Sequence, residues 1–406
     1  MKMRKAWVHI GTEKTGTTTI QKFFDKNREL LVSQGYHFMR STGIANDARL
    51  AGYCLASDQL NFYLFRNEFI DTEEKKDLYD KQFVEMFRNE ISNLPDEVSD
   101  VVFSSEFFHS RLTRKDQREK LKNLLEKYFD SIEIVCYIRP QIDVNISLYS
   151  TTLKSGGATL SLSEHLERCH PANYYYDYYR VLSGWEQSFI NHNVNYRVFD
   201  KRELYSSDVV LDFCAVIGLN SEDLSIISQE NESVTPTGQE LLRLINKKLP
   251  VFIDGVGVNY LRINFVKYIS NICSGSGEKP DKQSAISIQE QFDVGNEEVR
   301  RKWFPERKSL FVIDYNKYNE QDPVDIRVIE FFELLIEEIS KTDTATLLGI
   351  NSKRVNALRD SALLLEDNNI DLSLSLMSFA LLLRPNGAMI KKKVSEYRDA
   401  LSGPKL

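Results

Sequence analysis

The segment Trp7–Gln21, WVHIGTEKTGTTTIQ, constrains the fold of this chain more than any other. An apolar run that reads as a strand passes into a Gly- and Thr-rich loop, and a helical pattern follows at once. Glycine lets the backbone turn back sharply. Successive N–H groups can then face one concavity beside the positive end of a helix dipole. Such a loop holds phosphate or sulfate with little net charge. Lys14 adds a cation, and Thr15, Thr17, Thr18 and Thr19 add hydroxyl donors. On the residues alone, the other reading is a Gly/Thr-rich helix start with no ligand.

The next 220 residues repeat this alternation. Further β-rich runs are Val101–Ser104, Ile132–Ile138 and Tyr196–Phe199. Helical patterns cover Thr17–Ser33, Glu73–Leu94, Lys115–Phe129, Val144–Lys154, Asp177–Ile190 and Val209–Ile217. Strands separated by helices imply crossover connections and a mainly parallel sheet. Ala6–Ile10 and Ile132–Ile138 are largely apolar, as strands covered on both faces are. Beyond residue 235 the pattern is helical, over 235–270, 325–340 and 345–402, with Arg384–Pro385–Asn386–Gly387 as punctuation. The stretch Cys273–Ser284, CSGSGEKPDKQS, reads as a linker or mobile loop.

Composition limits what the loop can serve. At about 100–200 residues per domain, 406 residues make two or three units. The charge of −7 argues against bulk-charge binding of nucleic acid. It leaves room for a local anion site. Five scattered cysteines without C-x-x-C spacing argue against a disulfide framework or zinc site and fit a reducing compartment. The six histidines form no H-x-H or H-E-x-x-H cluster, so no metal is expected. The N-terminus lacks a signal-peptide apolar stretch, and no run is long enough to span a bilayer, so the expected location is cytoplasmic.

Gly11 to Gly16 fits G-x-x-x-x-G, but Thr17 stands where nucleotide kinases place lysine. The loop lysine is Lys14. Lys14-Thr15-Gly16-Thr17-Thr18 resembles the 5′-phosphosulfate loop of sulfotransferases, which use 3′-phosphoadenosine 5′-phosphosulfate. That family also carries a strand ending in Arg and a helix with Ser eight residues on, which hold the 3′-phosphate. Here the matching residues are Arg139 and Ser147. A guanidinium grips phosphate through a charged fork. Asn195–Leu204 resembles a later family strand, with Phe199 either flanking a base or serving as plain core. The resemblance covers residues 5–220 and is nearer to bacterial carbohydrate-type sulfotransferases than to the small-phenol enzymes.

The resemblance implies an α/β fold with a P-loop-like three-layer core and a helical C-terminal region. It divides the chain into a cofactor-binding core at 1–235, a helical acceptor or closure region at 236–324 with a flexible 273–284 segment, and a helical region at 325–406. It implies sulfuryl transfer to a carbohydrate or glycolipid hydroxyl, with Lys14 stabilising the leaving oxygen. Family members use His or Glu as the base. Glu106 and His109 both follow the strand Val101–Ser104, and Glu106, first after the strand, is favoured. His9, inside the first strand, reads as core. Tyr174–Tyr179 can pack at helical spacing through Tyr175, Tyr178 and Tyr179, or present rings to a sugar. The basic run Val299–Lys308 either reaches the cofactor or is a solvated face, and Lys391–Lys393 is read as solvated. The rival readings are a nucleotide-dependent kinase and a non-catalytic scaffold on a degenerate nucleotide fold.

Overall fold

Strands Lys5–Ile10 (β1), Tyr36–Phe38 (β2), Asp100–Ser105 (β3), Ser131–Ile138 (β4) and Asn193–Val198 (β5) form one sheet. Their order is β2-β3-β1-β4-β5, and every pair is parallel. The structure is a computed structural model. It describes residues 3–43, 46–155, 157–226, 233–253, 257–318, 322–341, 352–384 and 386–402.

The central strand explains the apolar runs. Along β1, Ala6, Val8 and Ile10 face one core, with Val101, Phe103, Ile134 and Ile138 from its neighbours. Trp7 faces the other, with Val102, Val135 and Tyr137. The first core is closed by Phe108, Leu121 and Trp185, from the helices Glu106–Arg111, Lys115–Leu125 and Tyr178–Ser188. The second is closed by Ile20, Phe23 and Phe24 of the helix Thr17–Lys26 (α1) and by Phe213 and Ile217 of the helix Val209–Ile217. The result is a three-layer α/β core. Connections from β1 lead to the β2 side, and those from β4 lead to β5. The carboxyl ends of β1 and β4 therefore flank the point where the winding reverses, where open α/β sheets bind ligands.

Two details depart from the sequence pattern. The helical run Thr17–Ser33 is two helices, Thr17–Lys26 and Arg28–Ser33. Asn27 breaks it: its amide donates to Phe23 O at 2.8 Å and Ser225 O at 3.1 Å, and its side-chain oxygen accepts from Ser225 N at 2.8 Å. β2 is three residues long, too short to show a period, and its pairing with β3 defines it.

The chain forms two compact units, one of residues 1–148, 165–231 and 280–319, the other of 149–164, 232–279 and 320–406. The sheet lies in the first. In the second, the helices Ser352–Leu365, Ile370–Leu383 and Ala388–Ser402 share a core of Val355, Ala362, Met377, Leu381, Ile390 and Val394. The residues after Cys273 are tied down there. Thr235 N donates to Cys273 O at 2.8 Å, Gly275 N to Ser233 O at 3.0 Å, and Glu278 N to the Gln239 side chain at 2.8 Å. Among the described residues no helix is long and apolar enough to cross a membrane.

The edge by β5 is fastened by one buried carboxylate. Asp212 is 1% exposed. It accepts from Arg197 Nη2 at 2.6 Å and Nε at 2.7 Å, from the Tyr137 hydroxyl at 2.7 Å and from Tyr205 N at 2.9 Å. Asp212→Ala leaves the buried Tyr137 hydroxyl without its acceptor, while the part-exposed Arg197 can turn to water, so it is expected to cost about 1–3 kcal/mol in urea denaturation. A loss below about 1 kcal/mol would show that the cluster contributes little.

Candidate functional site

The loop after β1 is sewn to both neighbouring strands. Gly11 N donates to Ser105 O of β3 at 3.1 Å, and the Thr12 hydroxyl donates to Tyr137 O of β4. The Thr15 hydroxyl donates to Thr12 O at 2.6 Å, and that of Thr17 to the same carbonyl at 3.4 Å. In this state those two hydroxyl protons hold the loop's own backbone. They must rotate before they can serve an anion. Thr18 is exposed and Thr19 buried.

Two left-handed residues shape the turn, Lys14 at φ 68° and Gly16 at φ 86°. A Cβ on Gly16 would lie 2.7 Å from Val209 Cγ1, so only glycine fits there. Gly16 is also the N-cap of α1 and supplies no side-chain cap. Thr19 N and Ile20 N bond back to Gly16 O at 3.0 and 3.1 Å. The earlier N–H groups of the first turn have no intrahelical acceptor, the usual state of a helix start, and they suit an anion.

Arg139 follows β4 directly. Its Nη1 donates to Lys14 O at 2.9 Å, which joins the two strand ends. Its Nη2 lies 3.8 Å from Asp143, and its guanidinium is 5.7 Å from the centroid of the Phe199 ring. Phe199 is partly buried against the second core. Asp143 also accepts from Lys317 Nζ at 2.5 Å and the Tyr318 hydroxyl at 2.8 Å. Ser147 lies further along the helix Gln141–Ser155 and is half-buried.

At the end of β3, Ser105 caps the helix that opens with Glu106. The Glu106 carboxylate accepts from Gln21 Nε2 at 3.1 Å and Asn46 Nδ2 at 3.3 Å. His109 is buried, and burial pushes its imidazole down to about 4. Its Nε2 donates to Tyr175 O at 3.1 Å. Its ring centroid is 4.5 Å from that of Tyr175, and its Nδ1 has no partner among the described residues. Burial likewise drops His9 to about 3, with Nδ1 2.8 Å from the Ser104 hydroxyl. One acidic group escaped sequence reading. Glu13, beside Lys14, neighbours Tyr175, Glu106 and Ser110, and burial raises its pKa. Its position inside the loop was the available signal.

The tyrosine run divides differently from a simple helical face. The helix starts at Tyr178, so Tyr175 is not on it. Tyr178 is buried and donates its hydroxyl to Arg139 O at 2.7 Å, and Tyr176 accepts from Asn145 at 2.8 Å. Tyr179 remains exposed. The basic run is largely paired. Arg300 and Arg301 each reach Glu297 at 2.7 Å, Lys302 pairs with Glu186 and Arg307 with Glu203. Lys393 lies 2.9 Å from Glu366. Among the described residues no group of three or more His, Cys, Asp or Glu is placed to hold a metal ion.

No family model matches the chain. An uncharacterised protein of Archaeoglobus fulgidus is 27% identical over 206 residues, 49% of this chain and 54% of that protein. The chain thus spans about half the length of the curated relative it matches. Among solved structures, a sulfotransferase from Alicyclobacillus acidocaldarius is similar with a TM-score of 0.35 and 15% identity, over 67% of this chain and 97% of that one.

The loop geometry sets a prediction independent of any ligand. Gly16→Ala combines a left-handed φ with a clash, so it is expected to destabilise by about 1–3 kcal/mol in urea. Thr18→Ala, at an exposed position, is expected to stay within about 0.5 kcal/mol.

Proposed function

We propose that this chain is a cytoplasmic bacterial sulfotransferase. It moves a sulfuryl group from 3′-phosphoadenosine 5′-phosphosulfate to a hydroxyl of a carbohydrate or glycolipid. The observation that carries this reading is the Arg139–Lys14 O bond. It holds two anion-seeking elements together at the reversal point of the sheet, with a carboxylate at the neighbouring strand end.

The residues present suit the co-substrate. The uncapped start of α1, the Thr18 hydroxyl and Lys14 would take the 5′-phosphosulfate. Thr15, Gly16, Thr17 and Thr19 shape the concavity, and the Thr15 and Thr17 hydroxyls can turn inward. Arg139 and Ser147 would take the 3′-phosphate, with Asp143 shifting its charge toward Lys317. Phe199 lies under the Arg139 guanidinium.

Sulfuryl transfer is an in-line displacement, so the protein positions donor and acceptor, neutralises the leaving phosphate and accepts a proton. Lys14 supplies the charge. Glu106 opens the helix after β3 and is held by Gln21 and Asn46, whereas His109 is buried with its Nε2 committed to Tyr175 O, so Glu106 is the favoured base. All five cysteines are free thiols, which fits a reducing compartment.

Isothermal titration with 3′-phosphoadenosine 5′-phosphate is expected to show binding. Lys14→Ala and Arg139→Ala should each weaken it about 10–100-fold, the scale of a charge-assisted contact. Folded protein that ignores this nucleotide would sink the reading. Magnesium-dependent ATP turnover that needs Lys14 would replace it with a kinase.

A further inference from the structure

Two cations share one carboxylate beside the end of β4. Asp143 lies in the first turn of the helix Gln141–Ser155, four residues after Arg139. Its Oδ1 accepts from Lys317 Nζ at 2.5 Å and from the Tyr318 hydroxyl at 2.8 Å. Its Oδ2 lies 3.8 Å from Arg139 Nη2, beyond hydrogen-bond reach. The carboxylate is therefore committed to partners 174 and 175 positions away, and only loosely to its neighbour. Among the described residues, Arg139 makes one hydrogen bond, from Nη1 to Lys14 O at 2.9 Å, so most of its donor fork is unused.

The distant partners are firmly placed. Gln289 Oε1 accepts from Ile142 N at 3.1 Å, and the Gln141 and Asn296 amides exchange hydrogen bonds at 2.8 and 3.2 Å. These bonds fasten the helices Lys282–Glu290 and Asp293–Trp303 to the turn that follows Arg139. Lys282 Nζ reaches the Asn316 side chain at 3.0 Å and ties the short helix Tyr315–Tyr318 to the first of them. Tyr318 is buried, and burial together with the Asp143 charge raises its pKa, so the phenol keeps the proton that it donates. In the basic run just upstream, Arg300, Arg301, Lys302 and Arg307 are engaged elsewhere, with Glu297, Glu186 and Glu203.

We propose that Lys317 and Tyr318 are positioning residues, which hold the Asp143 carboxylate off Arg139 and leave that guanidinium open to the 3′-phosphate. This rests on the sulfuryl-transfer reading. Without Lys317 and Tyr318, Asp143 is left with Arg139 as its cation. A carboxylate and a guanidinium close readily into a two-pronged pair, and that pair occupies the same fork that a phosphate needs. The Asp143 side chain is 14% exposed, so water would screen such a pair weakly. Two cations against one carboxylate also leave one positive charge in surplus for an incoming anion. Lys317 acts through Asp143 and not by touching the phosphate.

The test compares 3′-phosphoadenosine 5′-phosphate with adenosine 5′-phosphate, which differ only in the 3′-phosphate. Affinities are read on the full chain by competition with fluorescently labelled 3′-phosphoadenosine 5′-phosphate, and circular dichroism checks the fold of each variant. K317A is expected to weaken the first ligand about 10-fold and to leave the second within about twofold. Y318F should act in the same direction, by about threefold. In the D143N background K317A should lose its effect, because no carboxylate remains to swing onto Arg139. K317M takes the place of K317A where the alanine variant does not fold.

Equal losses for both ligands in K317A mean a structural role and overturn the proposal. A K317A loss that persists undiminished in D143N means direct contact with the phosphate and overturns it too. Unchanged affinity in K317A has the same consequence. In all three cases the sulfuryl-transfer reading stands. Wild-type protein that does not bind 3′-phosphoadenosine 5′-phosphate would instead remove that reading, and the positioning role with it.

Discussion

The pairing of β1 between β3 and β4 governs everything else in the first unit. A parallel strand buried on both faces must hand its chain over at the carboxyl end, at the rim of the sheet. Here that rim holds the Gly11–Gly16 turn. The turn is held by β3 through Gly11 N, by β4 through Thr12, and by Arg139 through Lys14 O. A loop with left-handed residues at 14 and 16 keeps its shape because three neighbours fix it.

Charge at this rim is arranged in two zones. Around Arg139, cations and one carboxylate balance through Asp143, Lys317 and Tyr318. Around Lys14, carboxylic acids dominate, with Glu13 and Glu106 set among amides and phenols. The net charge of −7 has no bearing on either, since local N–H groups and single side chains decide each contact.

Much of the core was legible in the sequence because its signals are local. The alternation of apolar strands and helices was enough to expect a mainly parallel α/β sheet, and the sheet is wholly parallel. Helix and strand ends agree within a few residues at Val209–Ile217 and Ile132–Ile138. The misreadings are local as well. A helix period runs through Asn27 undisturbed, and only the side-chain bonds to Phe23 and Ser225 show the break. The tyrosine run looked like one helical face, but the helix begins at Tyr178 and leaves Tyr175 in a turn over His109.

By itself the sequence determined the strand–loop–helix with Lys14, and the strand end with Arg139, because backbone periodicity and glycine placement act over a few residues. Only the tertiary structure decided what those groups meet. Gln21 reaches Glu106 across 85 positions, and Arg139 reaches Lys14 across 125. Parallel crossovers bring distant strand ends side by side, and no short-range pattern encodes which side chains then share one rim. That is why Glu13 reads as an ordinary loop residue in the sequence, while the fold sets it near Tyr175 and Glu106.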